Sequence, residues 1–309
     1  MQEEVAGVYA PLRAARTRRI ELRGMAHRLV EWGPDDGRPL VLLHGWMDCA
    51  MSFQFVVDAF DRDRRVLAPD LRGFGESDWQ PQGYWFPDYL ADVDALLDRV
   101  SPDASVDLAG HSLGGNVALL YAGLRPARVR RVVSLDGFGV PDEPADSAPD
   151  RIVAWLDALR APPALAPYAS VEDVAVRLRR NNRRLSAERA GFLARHWARR
   201  RDDGAFELLA DPRHKLPFPT VHRFDQTLAV WRRIAAPTLW VAARDSAIPR
   251  WLRAHPEGEA AVDGIELVSR RMAAIAGARL AVVEDAGHML HHDQPQAVAR
   301  LVESFVDAR

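Results

Sequence analysis

The sequence predicts an α/β fold: a mostly parallel, eight-stranded sheet with helices on both faces, plus an inserted helical cap. Short β-like runs alternate with helical patterns from about residue 18 to 136. The later β-like runs are apolar on both faces, as in the strands of a parallel sheet that helices cover on both sides. The alternation resumes after a long stretch of helical patterns, which indicates that this stretch is inserted into a single sheet.

Eight β-like runs make up the predicted sheet. They cover residues 20–22, 27–32, 40–43, 65–68, 105–109, 129–135, 238–243 and 280–283. Gly24 and a turn at residues 34–37 join the opening runs, and such short connections predict an antiparallel edge. Helices separate the later runs, which predicts parallel pairing there.

Helical patterns fill the spaces between these runs. In the core they cover residues 51–60, 87–99, 113–124, 250–276 and 294–307. A proline-rich, acidic connector at 140–149 precedes four further patterns, at 150–160, 170–181, 186–201 and 220–234. We therefore predict a core formed by residues 1–137 and 236–309 and a cap formed by residues 138–235. A second, independent domain is the alternative.

The composition is that of an ordinary globular protein, since 48% of the 309 residues are apolar and 27% are charged. A net charge of −2 argues against nucleic acid or an anionic membrane as the main partner. The single cysteine, Cys49, excludes an intrachain disulfide, and residues 1–5 lack a signal-peptide pattern. No run has the length of a membrane span, so a cytoplasmic location is expected. Of the 41 basic residues only Lys215 is a lysine, which is typical of coding bias.

Residues 110–114 read Gly-His-Ser-Leu-Gly, between a strand-like run and a helical pattern. A strand that turns directly into a helix strains the backbone of the central serine and exposes its hydroxyl above the sheet. The two glycines fit positions where a side chain would collide in so tight a turn. We predict that Ser112 is a nucleophile; the alternative is a serine that only caps the helix.

A nucleophilic serine needs a base and a carboxylate that orients this base. His288 follows the last predicted strand, at the sheet edge where catalytic groups of α/β folds gather. Asp245 and Asp136 each follow a predicted strand as well, and both preserve the chain order Ser, Asp, His. We predict Asp245 as the acid, with Asp136 as the alternative; the other carboxylate would belong to a turn or a cap.

The oxyanion formed by serine attack requires hydrogen-bond donors. The backbone N–H of Leu113, directly after the nucleophile, is one candidate, and the N–H of Trp46 is the other. Gly45 would let the loop at residues 44–48 run close to the serine. The residues predicted to contact substrate are His44, Gly45, Trp46, His111 and Phe138.

Four motifs in this order resemble the α/β-hydrolase fold superfamily, and residues 44–46 and 135–139 resemble its serine hydrolase-like, carboxylesterase-type branch. The four motifs are His44-Gly45, the Asp-Leu-Arg-Gly-Phe-Gly-Glu-Ser segment at 70–77, the elbow at 110–114, and Gly287-His288. The resemblance implies that residues 70–77 form a structural loop in which Arg72 and Ser77 make hydrogen bonds. Relatives that open epoxides or displace halide carry aspartate at the elbow, so Ser112 disfavours these reactions.

The expected activity is hydrolysis of carboxylic esters of a small or medium, partly apolar substrate. The alternatives are a lactonase or a C–C bond hydrolase of vinylogous keto acids that uses the same triad. A non-catalytic ligand-binding protein is disfavoured because a candidate for every triad position is present. The expected partner is a small-molecule ester, with no nucleic acid and no membrane, and the chain is expected to be a monomer or a homodimer. No metal and no cofactor are expected.

Aromatic residues of the cap could shape the substrate pocket or attach the cap to the sheet. They are Trp155, Phe192, Trp197, Phe206, Phe218 and Trp231. Arginine clusters at residues 177–180 and 199–201 could bind an anionic part of the substrate, or form a solvated helix face. The sequence leaves both questions open.

Overall fold

The computed structural model describes residues 7–248 and 264–308, which contain ten strands. The strands are β1 (Arg16–Leu22), β2 (Met25–Trp32), β3 (Leu40–Leu43), β4 (Val66–Pro69), β5 (Val106–His111), β6 (Val129–Leu135), β7 (Ala198–Arg200), β8 (Phe206–Leu208), β9 (Thr238–Ala243) and β10 (Arg279–Val283). Eight of them form one sheet in the order β1-β2-β4-β3-β5-β6-β9-β10, and β7 pairs with β8 in a separate ribbon.

The pairing directions confirm the predicted sheet. β1 pairs with β2, and β2 with β4, in antiparallel fashion, whereas the pairs from β4 through β3, β5, β6 and β9 to β10 are parallel. Each of the eight predicted β-like runs coincides with one strand of this sheet. The parallel strands therefore direct their carboxyl ends, and the loops that follow them, to one edge.

Helices cover both faces of the sheet. The described helices are α1 (Gln54–Asp58), α2 (Phe86–Val100), α3 (Leu113–Leu124), α4 (Ala148–Arg160), α5 (Val171–Asn181), α6 (Ala187–Trp197), α7 (Phe224–Trp231), α8 (Gly264–Met272), α9 (Leu290–Asp293) and α10 (Pro295–Val306). Side chains of β3 alternate between two apolar cores: Leu40 and Leu42 face α1 and α10, and Val41 and Leu43 face α2 and α3. None of these helices is long and apolar enough to cross a bilayer.

The segment between β6 and β9 contains α4–α7 and the ribbon. Helices α5 and α6 are consistent with a cap, and Ser170 begins α5 with a capping box that includes Asp173. Helix α7 instead packs on the core, because the buried ring of Trp231 contacts Trp240 of β9 at a centroid distance of 5.3 Å. The boundaries 138–235 of the cap stay a prediction.

Two predicted helices differ from the structure. The helix predicted at 186–201 ends at Trp197, because the next three residues pair with β8 and the carbonyl of Trp197 accepts the N–H of Leu209. The pattern at 250–276 lies partly outside the described residues, and within them it contains α8.

The loop after β4 depends on the buried carboxylate of Asp70. Its Oδ2 accepts Nε–H of Arg28 at 2.6 Å and the N–H of Glu76 at 2.8 Å, and its Oδ1 accepts the N–H of Ala50 at 2.8 Å. The hydroxyl of Ser77 donates to the Asp70 carbonyl at 2.7 Å. This carboxylate therefore ties the loop to β2 and to the segment before α1.

The other loop residue singled out in the sequence, Arg72, also makes hydrogen bonds. It donates Nε–H and Nη2–H to the two carboxylate oxygens of Asp92, at 2.5 and 2.6 Å. Both residues are buried. The structural expectation for Arg72 and Ser77 is confirmed.

Replacement of Asp70 should destabilise the whole fold. We expect Asp70→Ala to lower the free energy of unfolding by about 3–5 kcal/mol, because it leaves the buried Arg28 guanidinium with only the half-exposed Glu76 carboxylate as a partner. Urea unfolding measures this change. Asp63→Ala is the control, since Asp63 is a largely exposed carboxylate in a surface ion pair with Arg13 and should change the stability by less than about 1 kcal/mol. Equal effects of the two substitutions would contradict the role assigned to Asp70.

Candidate active site

Ser112 stands at the turn between β5 and α3 with φ 51° and ψ −113°, a strained conformation for a residue with a side chain. The glycines around it permit this turn. A Cβ on Gly110 would lie 2.1 Å from the carbonyl oxygen of Gly114, and a Cβ on Gly114 would lie 2.1 Å from that of Leu43. The sequence pattern thus marks a real strand–turn–helix elbow, as predicted.

His288 lies between Ser112 and Asp136. The Nε2 of His288 is 3.0 Å from the Ser112 hydroxyl oxygen, and its Nδ1 is 2.7 Å from Oδ2 of Asp136. Because a carboxylate accepts, Nδ1 carries the proton and Nε2 is left to accept the serine hydroxyl. This is the arrangement that can activate a serine for nucleophilic attack.

The preference for Asp245 as the acid is corrected by the structure. The Asp245 side chain is 51% exposed and accepts a hydrogen bond from Nη2 of Arg184 at 2.7 Å. Its backbone N–H binds the carbonyl of Ala286, which fixes the loop but does not direct the carboxylate to His288. Asp136, the alternative, contacts His288 instead.

Asp136 is held in a buried position at the end of β6. Its side chain has no solvent exposure, its Oδ1 accepts the N–H of Ala243 at 3.1 Å, and its Oδ2 accepts the hydroxyl of Ser246 at 2.6 Å. Sequence reasoning missed Ser246. The only signal for it was its place in the loop after β9, directly after the favoured Asp245.

The loop after β3 passes beside the serine. A Cβ on Gly45 would be 3.4 Å from the Cβ of Ser112 and 2.8 Å from Nδ1 of His111, so only glycine fits this approach. Leu113 is the first residue of α3, where a backbone N–H has no intrahelical acceptor. Trp46 follows Gly45, and its side chain is half exposed. The structure thus brings the two predicted oxyanion donors to the neighbourhood of Ser112.

Two histidines predicted to contact substrate have internal partners. His44 is fully buried: its Nδ1 donates to the Gly45 carbonyl and its Nε2 accepts the N–H of Leu71. It does not line the cavity at Ser112, so this expectation is wrong. His111 is also buried, and its Nε2 donates to the carbonyl of His288 at 2.7 Å. Burial lowers the pKa of each imidazole, so both rings stay neutral.

A cavity of about 890 Å³ opens above Ser112 and His288. Its wall is largely apolar and aromatic and comes from both the core and the cap. The aromatic residues that line it are Trp46, Tyr84, Phe86, Tyr89, Phe138, Trp197 and Phe218. Trp197 and Phe218 are thus the two candidate cap aromatics in this wall. The cavity has room for a small or medium ligand with apolar parts.

One group of described residues could hold a metal ion. Ligand atoms of Asp48, His291 and His292 lie within 4.8 Å of one another, and all three side chains are buried. However, the Asp48 carboxylate already accepts the N–H of Cys49 and the hydroxyl of Ser52. Donors within the protein therefore already satisfy the Asp48 carboxylate. The absence of a metal stays a prediction.

Comparison with known proteins agrees with this geometry. Residues 40–301 match the alpha/beta hydrolase family. A serine hydrolase-like protein of Danio rerio is 31% identical over 294 residues, which cover 93% of this chain and 85% of that relative. The chain belongs to the alpha/beta hydrolase family. The resemblance and the fold class inferred from the motifs are confirmed.

Further relatives of this hydrolase differ in the bond they cleave. The thioesterase domain from the curacin biosynthetic pathway superposes with a TM-score of 0.79 and 25% identity, covering 94% of this chain and 99% of that domain. A 2-hydroxy-6-oxo-2,4-heptadienoate hydrolase of Pseudomonas putida is 37% identical over 115 residues, 36% of this chain and 41% of the relative. Esterases are also among the structural neighbours.

The two candidate acids can be separated by substitution. We expect Asp136→Asn to lower kcat by about 10³- to 10⁴-fold, because an amide no longer fixes the tautomer of His288 or stabilises its protonated form. Asp245→Asn should change kcat by less than about threefold, since it removes a half-exposed ion pair. Steady-state turnover of a p-nitrophenyl ester measures both. A larger loss for Asp245→Asn would reverse the assignment.

His111 should act as a positioning residue for His288. His111→Phe removes the donor to the His288 carbonyl, and we expect kcat to fall by about 10- to 100-fold, because small displacements of a catalytic base are costly. His111→Gln offers an amide donor and should retain more activity. The measurement is kcat per active site titrated with a fluorophosphonate. A purely structural role would lower the titratable fraction and leave kcat per site unchanged.

Proposed function

We propose that this protein is a serine hydrolase that cleaves carboxylic esters of a small or medium, partly apolar substrate through an acyl-enzyme. The observation that carries the proposal is His288, whose two ring nitrogens contact the Ser112 hydroxyl and the buried Asp136 carboxylate. The largely apolar cavity above them supports an acyl or alcohol group with apolar parts.

In the acylation step the Ser112 oxygen attacks the ester carbonyl carbon and its proton moves to Nε2 of His288. Asp136 stabilises the resulting imidazolium through Nδ1–H. The N–H groups of Leu113 and Trp46 bind the oxyanion. When the tetrahedral intermediate collapses, the C–O bond to the alcohol breaks and the alcohol leaves with the proton from His288.

Deacylation repeats these transfers with water. His288 accepts a proton from a water molecule that attacks the acyl carbon, and the bond between the acyl group and Ser112 then breaks. The Ser112 oxygen takes the proton back, the carboxylic acid is released, and the site returns to its starting state. Apart from water, these two steps need no group other than the triad and the oxyanion donors.

C–C bond hydrolysis of a vinylogous keto acid is the second candidate, because it can use the same triad. The observation that favours it is the 37% identity with the 2-hydroxy-6-oxo-2,4-heptadienoate hydrolase over part of the chain. Turnover of such a dienoate faster than of simple esters would place this activity first. Lactones should be assayed beside the dienoate and the esters.

The nucleophile can be tested directly. We expect a fluorophosphonate to label Ser112 and the protein to hydrolyse p-nitrophenyl esters of short or medium chain length. Ser112→Ala should abolish labelling and lower kcat by about 10⁴-fold or more, because no other group forms the acyl-enzyme.

Ser304→Ala is the matched control, since Ser304 is exposed on α10 and its hydroxyl donates only to the Leu301 carbonyl. It should retain labelling and turnover. A wild-type protein that neither labels at Ser112 nor hydrolyses any ester, lactone or dienoate would overturn the proposal.

A further inference from the structure

The acidic residues in the cavity wall are already engaged in hydrogen bonds. Among the described lining residues these are Asp48 and Asp136. Asp48 accepts the Cys49 N–H and the Ser52 hydroxyl, and Asp136 accepts from His288, Ser246 and Ala243. Neither carboxylate is left to bind a cation in the cavity.

Three basic side chains line the same cavity: Arg177, Arg213 and Lys215. Arg177 donates Nη1–H to the hydroxyl of Tyr168 at 2.6 Å, and its guanidinium lies 5.9 Å from the centre of that ring. Across residues 7–248 and 264–308, no carboxylate pairs with Arg177. The positive charge of Arg177 therefore has no counterion there.

Arg213 has a poor counterion. Its Nη1 lies 3.5 Å from Oδ1 of Asp211, at the limit of a hydrogen bond. That carboxylate also accepts the backbone N–H of Arg213 at 2.9 Å and the Tyr84 hydroxyl at 2.8 Å. The Asp211 charge is thus shared among several donors.

Lys215 is the most available of the three cations. It is exposed, and within the described part of the chain its ammonium has neither an ion pair nor a hydrogen-bond partner. It is also the single lysine in a sequence with 41 basic residues. Because Lys215 is exposed, water and salt partly screen its charge, so its attraction for an anion should weaken as salt is added.

Five other cap arginines pair with carboxylates of residues that do not line the cavity. These pairs are Arg151 with Glu143, Arg184 with Asp245, Arg199 with Glu207, Arg201 with Asp203 and Arg223 with Asp225. The cluster at 199–201 thus belongs to an exposed ribbon, whereas the cations of the cavity wall remain without dedicated carboxylates.

We infer that the cavity binds substrates that carry an ionised carboxylate besides the ester to be cleaved, such as monoesters of dicarboxylic acids, and that Lys215 contacts this carboxylate. The inference rests on the proposed function, because it names the substrate class of the same site. The apolar wall would hold the methylene chain between the two ends. Arg177 and Arg213 add positive charge to the same cavity.

The first test compares p-nitrophenyl monoesters of the dicarboxylic acids from succinic to suberic with the same compounds capped as terminal carboxamides. We expect the carboxylate form of at least one chain length to have a kcat/KM about tenfold above its amide, with the advantage falling as salt is added. Lys215→Met should lower this ratio by about tenfold, and Lys215→Arg should retain it.

Arg199→Met is the matched control, because it removes an exposed cation outside the cavity and should leave the ratio unchanged. Turnover of the amides with no preference for any carboxylate overturns this inference and leaves the proposed function intact. Absence of both turnover and fluorophosphonate labelling at Ser112 overturns the proposed function. The two failures are therefore distinguishable.

A second test needs no turnover. Reductive methylation modifies amines, and Lys215 is the single lysine of the chain. Mass spectrometry of the peptide that contains Lys215 therefore measures the methylation of this one side chain. At constant ionic strength, glutarate or a longer dicarboxylate should slow the methylation of Lys215 several-fold, whereas glutaramide should not. Equal rates with the dicarboxylates from succinate to suberate and with the amide would contradict the contact between Lys215 and a carboxylate.

Discussion

Ser112 can stand above the sheet only because the backbone on either side of it packs against its neighbours without side chains between them. Gly110 and Gly114 approach backbone carbonyls at distances that a Cβ could not accept. The strain at Ser112 is therefore maintained by close packing between β3, β5 and α3. The positions of the base and the acid follow, since both belong to loops at the edge where this turn emerges.

The sequence predicted most of this arrangement because the sheet leaves a strong pattern. Buried parallel strands such as β9 are apolar on both faces, and loops at their carboxyl ends carried Ser112, His288 and both candidate acids. It favoured Asp245 over Asp136 as the acid, although both residues follow neighbouring strands and the sequence does not show which of them reaches His288. The difference lies in the path of each loop. Asp136 is buried and accepts the hydroxyl of Ser246, whereas Asp245 lies at the surface and pairs with Arg184.

Histidines posed the same difficulty. His44 and His111 lie beside the reactive groups in the sequence, which made substrate contact a reasonable expectation. In the fold, each ring is buried and hydrogen-bonded within the protein. His44 thus fixes its loop and does not line the cavity, whereas His111 is hydrogen-bonded within the protein and is also one of the residues that line the cavity. The cap was also beyond prediction in detail, because Trp197 and Trp231 have similar sequence surroundings but face the cavity and the core, respectively.

The position of Asp136 has a consequence for engineering. The predicted cap begins at residue 138, two residues after Asp136, and a Cβ on Gly137 would come within 3.0 Å of the backbone of Gly115 in α3. A chimaera that takes a cap with this predicted boundary from a relative would thus have its first junction beside Asp136. To keep the recipient's chemistry, such a graft must preserve both Asp136 and Gly137 and begin no earlier than Phe138.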